Sequence, residues 1–158
     1  NEVCGYLSGF AASNQPVDSY FSALEMYFSN DSEPDKKQPD YKIVIDNIAF
    51  IKQSIGNGLP IFPFNNEEES QNKLIALGEW SKNFILSINF LVQQKLLKNT
   101  LDYQEILHDL TEISKVDHNY DINNTDEVDQ YYIEISNYVL SAVNHIYSVS
   151  RGDSTTND

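Results

Sequence analysis

The chain has 158 residues, 41% of them hydrophobic, and its 24 acidic and 10 basic residues give a formal net charge of −14. A chain of this size can bury a core as one domain, and its single cysteine, Cys4, excludes an internal disulfide framework and favours a cytoplasmic location. No apolar run approaches the roughly 18 residues that span a bilayer, and the acidity disfavours direct binding to nucleic acid or to an anionic membrane.

Every long segment has helical periodicity, and none alternates with a period of two residues. This pattern predicts an all-α fold, a compact multihelical bundle of about six helices. We expect residues 1–148 to form a single domain and residues 149–158 a flexible tail. The chain starts without methionine, in what reads as the middle of a helix, so we expect further residues upstream.

The first helix is predicted over residues 1–13 and contains two glycines one turn apart, Gly5 and Gly9. Glycine inside a helix costs about 1 kcal/mol relative to alanine, so the close approach of a second helix is the expected compensation. The same groove could join two copies of the chain, and a homodimer through this helix is an open alternative. Cys4, in the same apolar helix, is predicted to be a small buried residue.

Pro16 starts the predicted second helix, and a polar loop with two prolines follows at 30–40. The third helix is predicted from Tyr41 to Ile55, with a stop at Gly56-Asn57-Gly58. The next segment, 59–64, reads LPIFPF, and each of its prolines pushes the preceding residue out of the α region. We expect this segment to be an extended strap that lies across the bundle.

Asn66 is the predicted N-cap of the fourth helix, with Glu67 to Glu69 in its first turn, where the helix dipole favours acids. Further along, apolar residues recur at helical spacing and predict one buried stripe: Leu77, Trp80, Phe84, Ile88 and Leu91. An alternative is that Trp80 and Phe84 line a ligand pocket against the 59–64 segment. The regular spacing favours a structural role, because aromatic side chains dominate core burial.

The fifth helix follows Thr100, and its predicted buried face is Tyr103, Ile106, Leu107, Leu110 and Ile113. The last helix is predicted from about 126 to 148, with its buried face at Val128, Tyr132, Ile135, Val139, Ala142, Val143 and Ile146. Residues 101–147 contain ten acids and one lysine, a net charge of −9. The C-terminal third is therefore predicted to be an acidic surface.

Tyrosines stand among the acids on the polar side of the last helix. Tyrosine anchors with a rim of carboxylates would suit the docking of a basic amphipathic partner. The predicted partner-binding residues are Asp126, Glu127, Asp129, Tyr131, Glu134 and Tyr138. The alternative is that the tyrosines complete the wide buried arc of a central helix.

The residue types that carry out catalysis or bind metals do not form a recognisable pattern. Residues 117–123 partly match a calcium loop, but Ile122 replaces the required Gly and Val128 the closing Glu, which favours a solvated linker. No two of the histidines, His108, His118 and His145, are three or four residues apart, as a metal site on one helix would require. Nothing in the sequence places a histidine beside Cys4 as the base of a catalytic pair. We therefore predict no catalytic residue, no metal site and no cofactor.

Three segments carry a resemblance to a known family. The first is Cys4-Gly5-Tyr6-Leu7-Ser8-Gly9, which looks like a pattern of His-Gly, two apolar residues and Cys-Gly. The second is Ala76-Leu77 through Trp80, Phe84 and Leu86. The third is Asp109 to Ile113, an acidic loop, and then Tyr132 to Val139. In this order they resemble the YgfB/YecA-like family of bacterial helical proteins, and the structural motif residues are Gly5, Gly9, Trp80, Phe84, Leu86, Tyr132 and Val139.

The chain also departs from the pattern of that family. Cys4 replaces the usual His, Asn83 and Ser87 replace glycines, and Leu140 stands where Arg is common. The resemblance implies a compact helical bundle and a regulatory or adaptor role through a protein partner, without catalytic residues to carry over. Our first hypothesis is thus a non-catalytic protein that binds a basic partner, such as a transcription regulator. The second is a small-ligand or metal-binding protein or enzyme with its pocket between Trp80 and the 59–64 segment.

Overall fold

A computed structural model describes residues 1–29, 37–65, 67–116 and 125–155. Within these ranges it contains helices and no strand, which confirms the predicted all-α bundle. A short 3₁₀-helix at Val17–Ser19 precedes the second of six α-helices, whose bounds are α1 Glu2–Ala12, α2 Phe21–Ser29, α3 Tyr41–Gly56, α4 Ser70–Gln93, α5 Leu101–Ile113 and α6 Thr125–Thr155.

The core is organised around α4, which packs against α1, α5 and α6, while α1 also contacts α3. The five residues of the predicted stripe on α4 are all fully buried: Leu77, Trp80, Phe84, Ile88 and Leu91. Full burial of a large apolar side chain contributes about 1.5–3 kcal/mol. The periodicity of α4 therefore identified the centre of the fold.

Leu86 does not belong to this core. It is 50% exposed although we expected a structural role for it from the family resemblance. Position 86 lies two residues from both Phe84 and Ile88, about 160° around the helix from each, so it faces away when they face inward. Leu86 therefore lies outside the buried stripe, and the structural role that the resemblance implies for it stays a prediction.

The glycines of α1 form the contact surface with α4. A Cβ atom on Gly5 would collide with the carbonyl oxygen of Trp80 and lie 2.9 Å from the carbonyl carbon. On Gly9 it would collide with the hydroxyl oxygen of Ser87 and lie 3.2 Å from the carbonyl oxygen of Phe84. The predicted close helix approach is confirmed, and the second helix belongs to the same chain. Because α4 of the same chain covers this glycine face, the face does not call for a second copy, and a homodimer stays a prediction.

The start of α4 differs from the prediction. The helix begins at Ser70, so Glu67 to Glu69 precede it rather than forming its first turn. The backbone N–H of Glu67 donates to Asn65 Oδ1 at 3.1 Å, and that of Glu68 to the Asn65 carbonyl, also at 3.1 Å. This local turn engages backbone N–H groups that would otherwise belong to the first turn of a helix, so the helix starts later in the chain. The proposed cap, Asn66, lies outside the described residues.

Helix α3 and its end agree with the prediction. The Asp40 side chain accepts a hydrogen bond from the backbone N–H of Lys42 at 3.0 Å and caps the helix start. Gly58, with φ of 65°, lies just after the helix end, in the left-handed conformation that glycine adopts without strain. The following residues 59–65 carry neither helix nor strand. Their role as an extended strap stays a prediction.

Helix α6 continues beyond the predicted boundary at 148 and ends at Thr155. Ser150 is buried, and Val149 packs against the core. These two residues give the additional turn an interior side, although the polar composition of 149–158 suggested a tail. Residues 149–155 thus continue the helix, whereas the sequence predicted a tail from residue 149.

Candidate functional site

Four of the six predicted partner-binding residues lie on one side of α6. Glu127, Tyr131, Glu134 and Tyr138 are spaced by 4, 3 and 4 residues, and all four are exposed. Such spacing aligns side chains along one side of a helix. Tyr131 is 45% exposed and Tyr138 is 38% exposed. We call these four residues the α6 face.

Asp126 and Asp129 do not join the α6 face, although both are exposed. At about 100° per residue, Asp129 lies roughly 160° around the helix from Glu127, and Asp126 about 100° from it. Proximity along the chain places these aspartates next to the residues of the face. The helical geometry separates them from it.

Helix α5 adds acidic residues beside the α6 face. The Tyr138 hydroxyl donates a hydrogen bond to Asp109 Oδ2 at 2.6 Å, and His145 Nε2 lies 3.9 Å from Asp102 Oδ2. Asp102, Glu105 and Asp109 follow each other at spacings of 3 and 4 on α5. These three residues are not among the predicted partner-binding residues. Their regular spacing on α5 is visible in the sequence. The sequence does not indicate that α5 lies beside the α6 face.

The environment of Tyr138 raises the pKa of its hydroxyl from 10.0 to about 12. Burial is the largest cause, followed by the hydrogen bond to Asp109 and by the negative charges of Asp109 and Glu105. Each of these effects disfavours the tyrosinate. The raised pKa agrees with a hydroxyl that is held against a carboxylate.

We expect Asp109→Asn to lower the pKa of Tyr138, because the substitution removes a negative charge from its hydroxyl. The folded pKa lies above the unfolded one, so the stability linked to the protonated Tyr138, through its burial and its Asp109 contact, is fully present below pH about 10 and disappears as the pH rises towards 12. NMR titration of ring-labelled tyrosine, with Tyr138→Phe for assignment, measures this pKa. Glu112→Gln on the same helix is the control, and an equal shift in both variants would contradict the pairing.

The other tyrosines of α6 differ from those of the face. Tyr132 is half-buried, with its ring 6.4 Å from that of Phe64 and the Lys73 ammonium 5.3 Å from its centroid. Tyr147 is also half-buried, and Val139 is fully buried. The alternative of a buried tyrosine arc therefore fits Tyr147 but not the exposed Tyr131 and Tyr138, and Tyr132 belongs to the predicted buried face.

The space between Trp80 and the 59–64 segment is filled. Trp80 is fully buried and stacks on Phe84 with a centroid distance of 5.1 Å. Phe62 meets the indole edge-on, also at 5.1 Å. These contacts leave Trp80 without an exposed surface, and a ligand pocket at this place stays a hypothesis. A groove of about 500 Å³ lies instead between α1, α3 and residues 60–63.

The described residues bring together no group of three or more His, Cys, Asp or Glu side chains that could hold a metal ion. His118 and the calcium-like residues 117–123 lie outside the described residues. Cys4 is half-buried rather than buried as predicted, and its thiol donates to the Ile61 carbonyl with a sulfur–oxygen distance of 3.4 Å. Among the described helices, none is long and apolar enough to span a membrane.

No protein-family model and no curated protein matches the chain. The resemblance to the YgfB/YecA-like family therefore stays a prediction. Two of the segments on which it rests meet in the fold, because Gly5 and Gly9 of the first pack against Trp80 and Phe84 of the second. Ser87, where the family pattern has glycine, contributes the side chain that meets Gly9.

Proposed function

We propose that this chain is a non-catalytic interaction protein of the cytoplasm, similar to the YgfB/YecA-like family, and that the α6 face binds a basic protein partner such as a transcription regulator. The observation that carries the proposal is the exposure of Tyr131 and Tyr138 beside the exposed carboxylates of Glu127 and Glu134. Aromatic side chains that remain exposed on a folded helix are typical anchors of protein interfaces.

The aromatic and acidic residues of the face have different roles in the proposal. Tyr131 and Tyr138 supply apolar area with a polar tip, and burial of such anchors provides most of the affinity of an interface. The carboxylates raise the association rate of a positively charged partner and reject acidic ones. Asp109 holds the Tyr138 hydroxyl at 2.6 Å and so limits the freedom that this side chain loses on binding.

We expect Glu127→Gln with Glu134→Gln to weaken capture of a basic partner from native lysate at least tenfold at low salt. The two substitutions remove both carboxylates of the α6 face and with them its negative potential, while the exposed positions leave the fold intact. Mass spectrometry of the captured proteins and a salt series with the purified partner measure the effect.

The matched control is Asp126→Asn with Asp129→Asn. It carries the same net charge of −12 and changes the same helix, but not the α6 face. We expect its capture of the partner to stay within about threefold of the wild type, since charges away from an interface act only through screened long-range fields. Equal weakening by both pairs would assign binding to total charge, and unchanged capture by both would contradict the proposal.

A further inference from the structure

The groove between α1, α3 and residues 60–63 reaches from the surface into the core. Its floor contains Leu7, Ile51 and Ile61, which are 4%, 9% and 8% exposed. Its rim contains Val3 and Phe50, which are 44% and 68% exposed. The groove therefore has depth, and two large apolar side chains at its mouth contact solvent. Its volume of about 500 Å³ lies within the range of small-molecule sites, about 300–1,000 Å³.

The side chains that line the groove are uncharged, in contrast to the rest of the chain. Charged residues make up 22% of the sequence, yet of the twelve described residues that line the groove none has a charged side chain. A buried ion without a partner is strongly disfavoured, so a charged group would lose hydration here without compensation. The groove therefore selects an uncharged occupant.

The polar groups of the groove restrict the occupant further. The hydroxyl of Ser54 donates to the Phe50 carbonyl at 3.0 Å, and the thiol of Cys4 is directed to the Ile61 carbonyl. The Asn47 amide donates one N–H to the Ile43 carbonyl at 2.9 Å, which leaves its oxygen and its second N–H for other partners. Asn47 and the Ser54 oxygen can thus pair with a hydroxyl or an amide.

We infer that this groove is a binding site for a small uncharged molecule, mainly apolar, with one hydroxyl or amide group that pairs with Asn47. Its apolar part covers Phe50 and Val3 and rests on Leu7, Ile51 and Ile61. The site is separate from the α6 face and does not depend on the function proposed for that face. Burial of apolar surface supplies the affinity, and the polar pairing at Asn47 orients the molecule.

Cys4 is the only cysteine of the chain and lines the groove, so its alkylation by iodoacetamide reports whether the groove is occupied. The probes are 1-decanol, decanoate and decylammonium, which share one alkyl chain and differ in the charge of the polar group. We expect saturating decanol to slow alkylation at least tenfold. The two charged probes should require at least tenfold higher concentrations for the same protection. Mass spectrometry follows the reaction.

Two variants locate the protection in the groove. Phe50→Asp introduces a charge at the rim. We expect it to reduce the protection of Cys4 by decanol at least tenfold. Met26→Asp is the matched control, because Met26 is 62% exposed on α2 and does not line the groove. It should behave as the wild type. Circular dichroism confirms that both variants are folded, and each protection factor is measured within one variant.

Several results would overturn the inference. An unchanged alkylation rate at the solubility limit of decanol would exclude the site. Equal protection by the three probes would exclude selection for an uncharged molecule, and full protection in Phe50→Asp would place the effect elsewhere. If the alkylation rate falls as the protein concentration rises, without any probe present, the groove would be assigned to a second copy of the chain. Protection by a captured partner protein but not by decanol would assign it to a macromolecule.

Discussion

Trp80→Ala is expected to lower the free energy of unfolding by about 3–5 kcal/mol. The side chain is fully buried, stacks on Phe84 and meets Phe62 edge-on, each with centroids 5.1 Å apart. Truncation therefore removes two aromatic contacts and leaves a cavity at the junction of α4 with the 59–64 segment. Since domains are typically stable by about 5–15 kcal/mol, this loss is a large part of the total. Urea denaturation followed by circular dichroism measures it.

Trp80→Phe separates the loss of packing from the loss of the indole N–H. Trp80 Nε1 is buried and has no hydrogen-bond partner among the described residues, so its removal relieves an unsatisfied polar group. We expect Trp80→Phe to lose clearly less stability than Trp80→Ala. Leu86→Ala on the same helix is the exposed control and should stay within about 0.5 kcal/mol of the wild type. A loss below about 1 kcal/mol for Trp80→Ala would contradict the central role of this residue.

Gly5→Ala is expected to destabilise the protein by about 1–3 kcal/mol, although alanine is the better helix former by about 1 kcal/mol. The added Cβ atom would collide with the Trp80 carbonyl oxygen and lie 3.0 Å from the Trp80 Cα atom. These are backbone atoms in the central helix, so a side-chain rotation cannot relieve the contact. The two helices must move apart, and the core contacts between them weaken. Thermal and urea denaturation measure the change.

Gly152→Ala is the matched control for Gly5→Ala. Gly152 also lies inside a helix, but a Cβ atom there would meet nothing within 4 Å. Helix propensity then acts without a collision, and we expect a gain of up to about 1 kcal/mol. The two substitutions should therefore have opposite signs. A stabilising Gly5→Ala would mean that α1 and α4 do not approach as closely as described.

Local periodicity was sufficient to predict the helices and most of the core. The stripe from Leu77 to Leu91 and the helix from Tyr41 to Gly56 follow from a repeat of about 3.6 residues, which depends on the helix alone. The glycine pair of α1 also indicated that a helix would pack closely there. The helix boundaries at Ser70 and Thr155 were missed, because a side-chain turn at Asn65 and the packing of Val149 outweigh composition.

The candidate sites depended on tertiary structure more than the helices and the core did. Chain proximity grouped Asp129 with Tyr131, whereas the helix separates them and α5 brings Asp109 to Tyr138 instead. The groove unites residues from α1, α3 and 60–63, whose distance along the chain hides their contact. The sequence by itself determined which side of each helix is apolar, because that property repeats along one helix. The tertiary structure decided which exposed residues meet, since this depends on the angle and register between helices that packing selects.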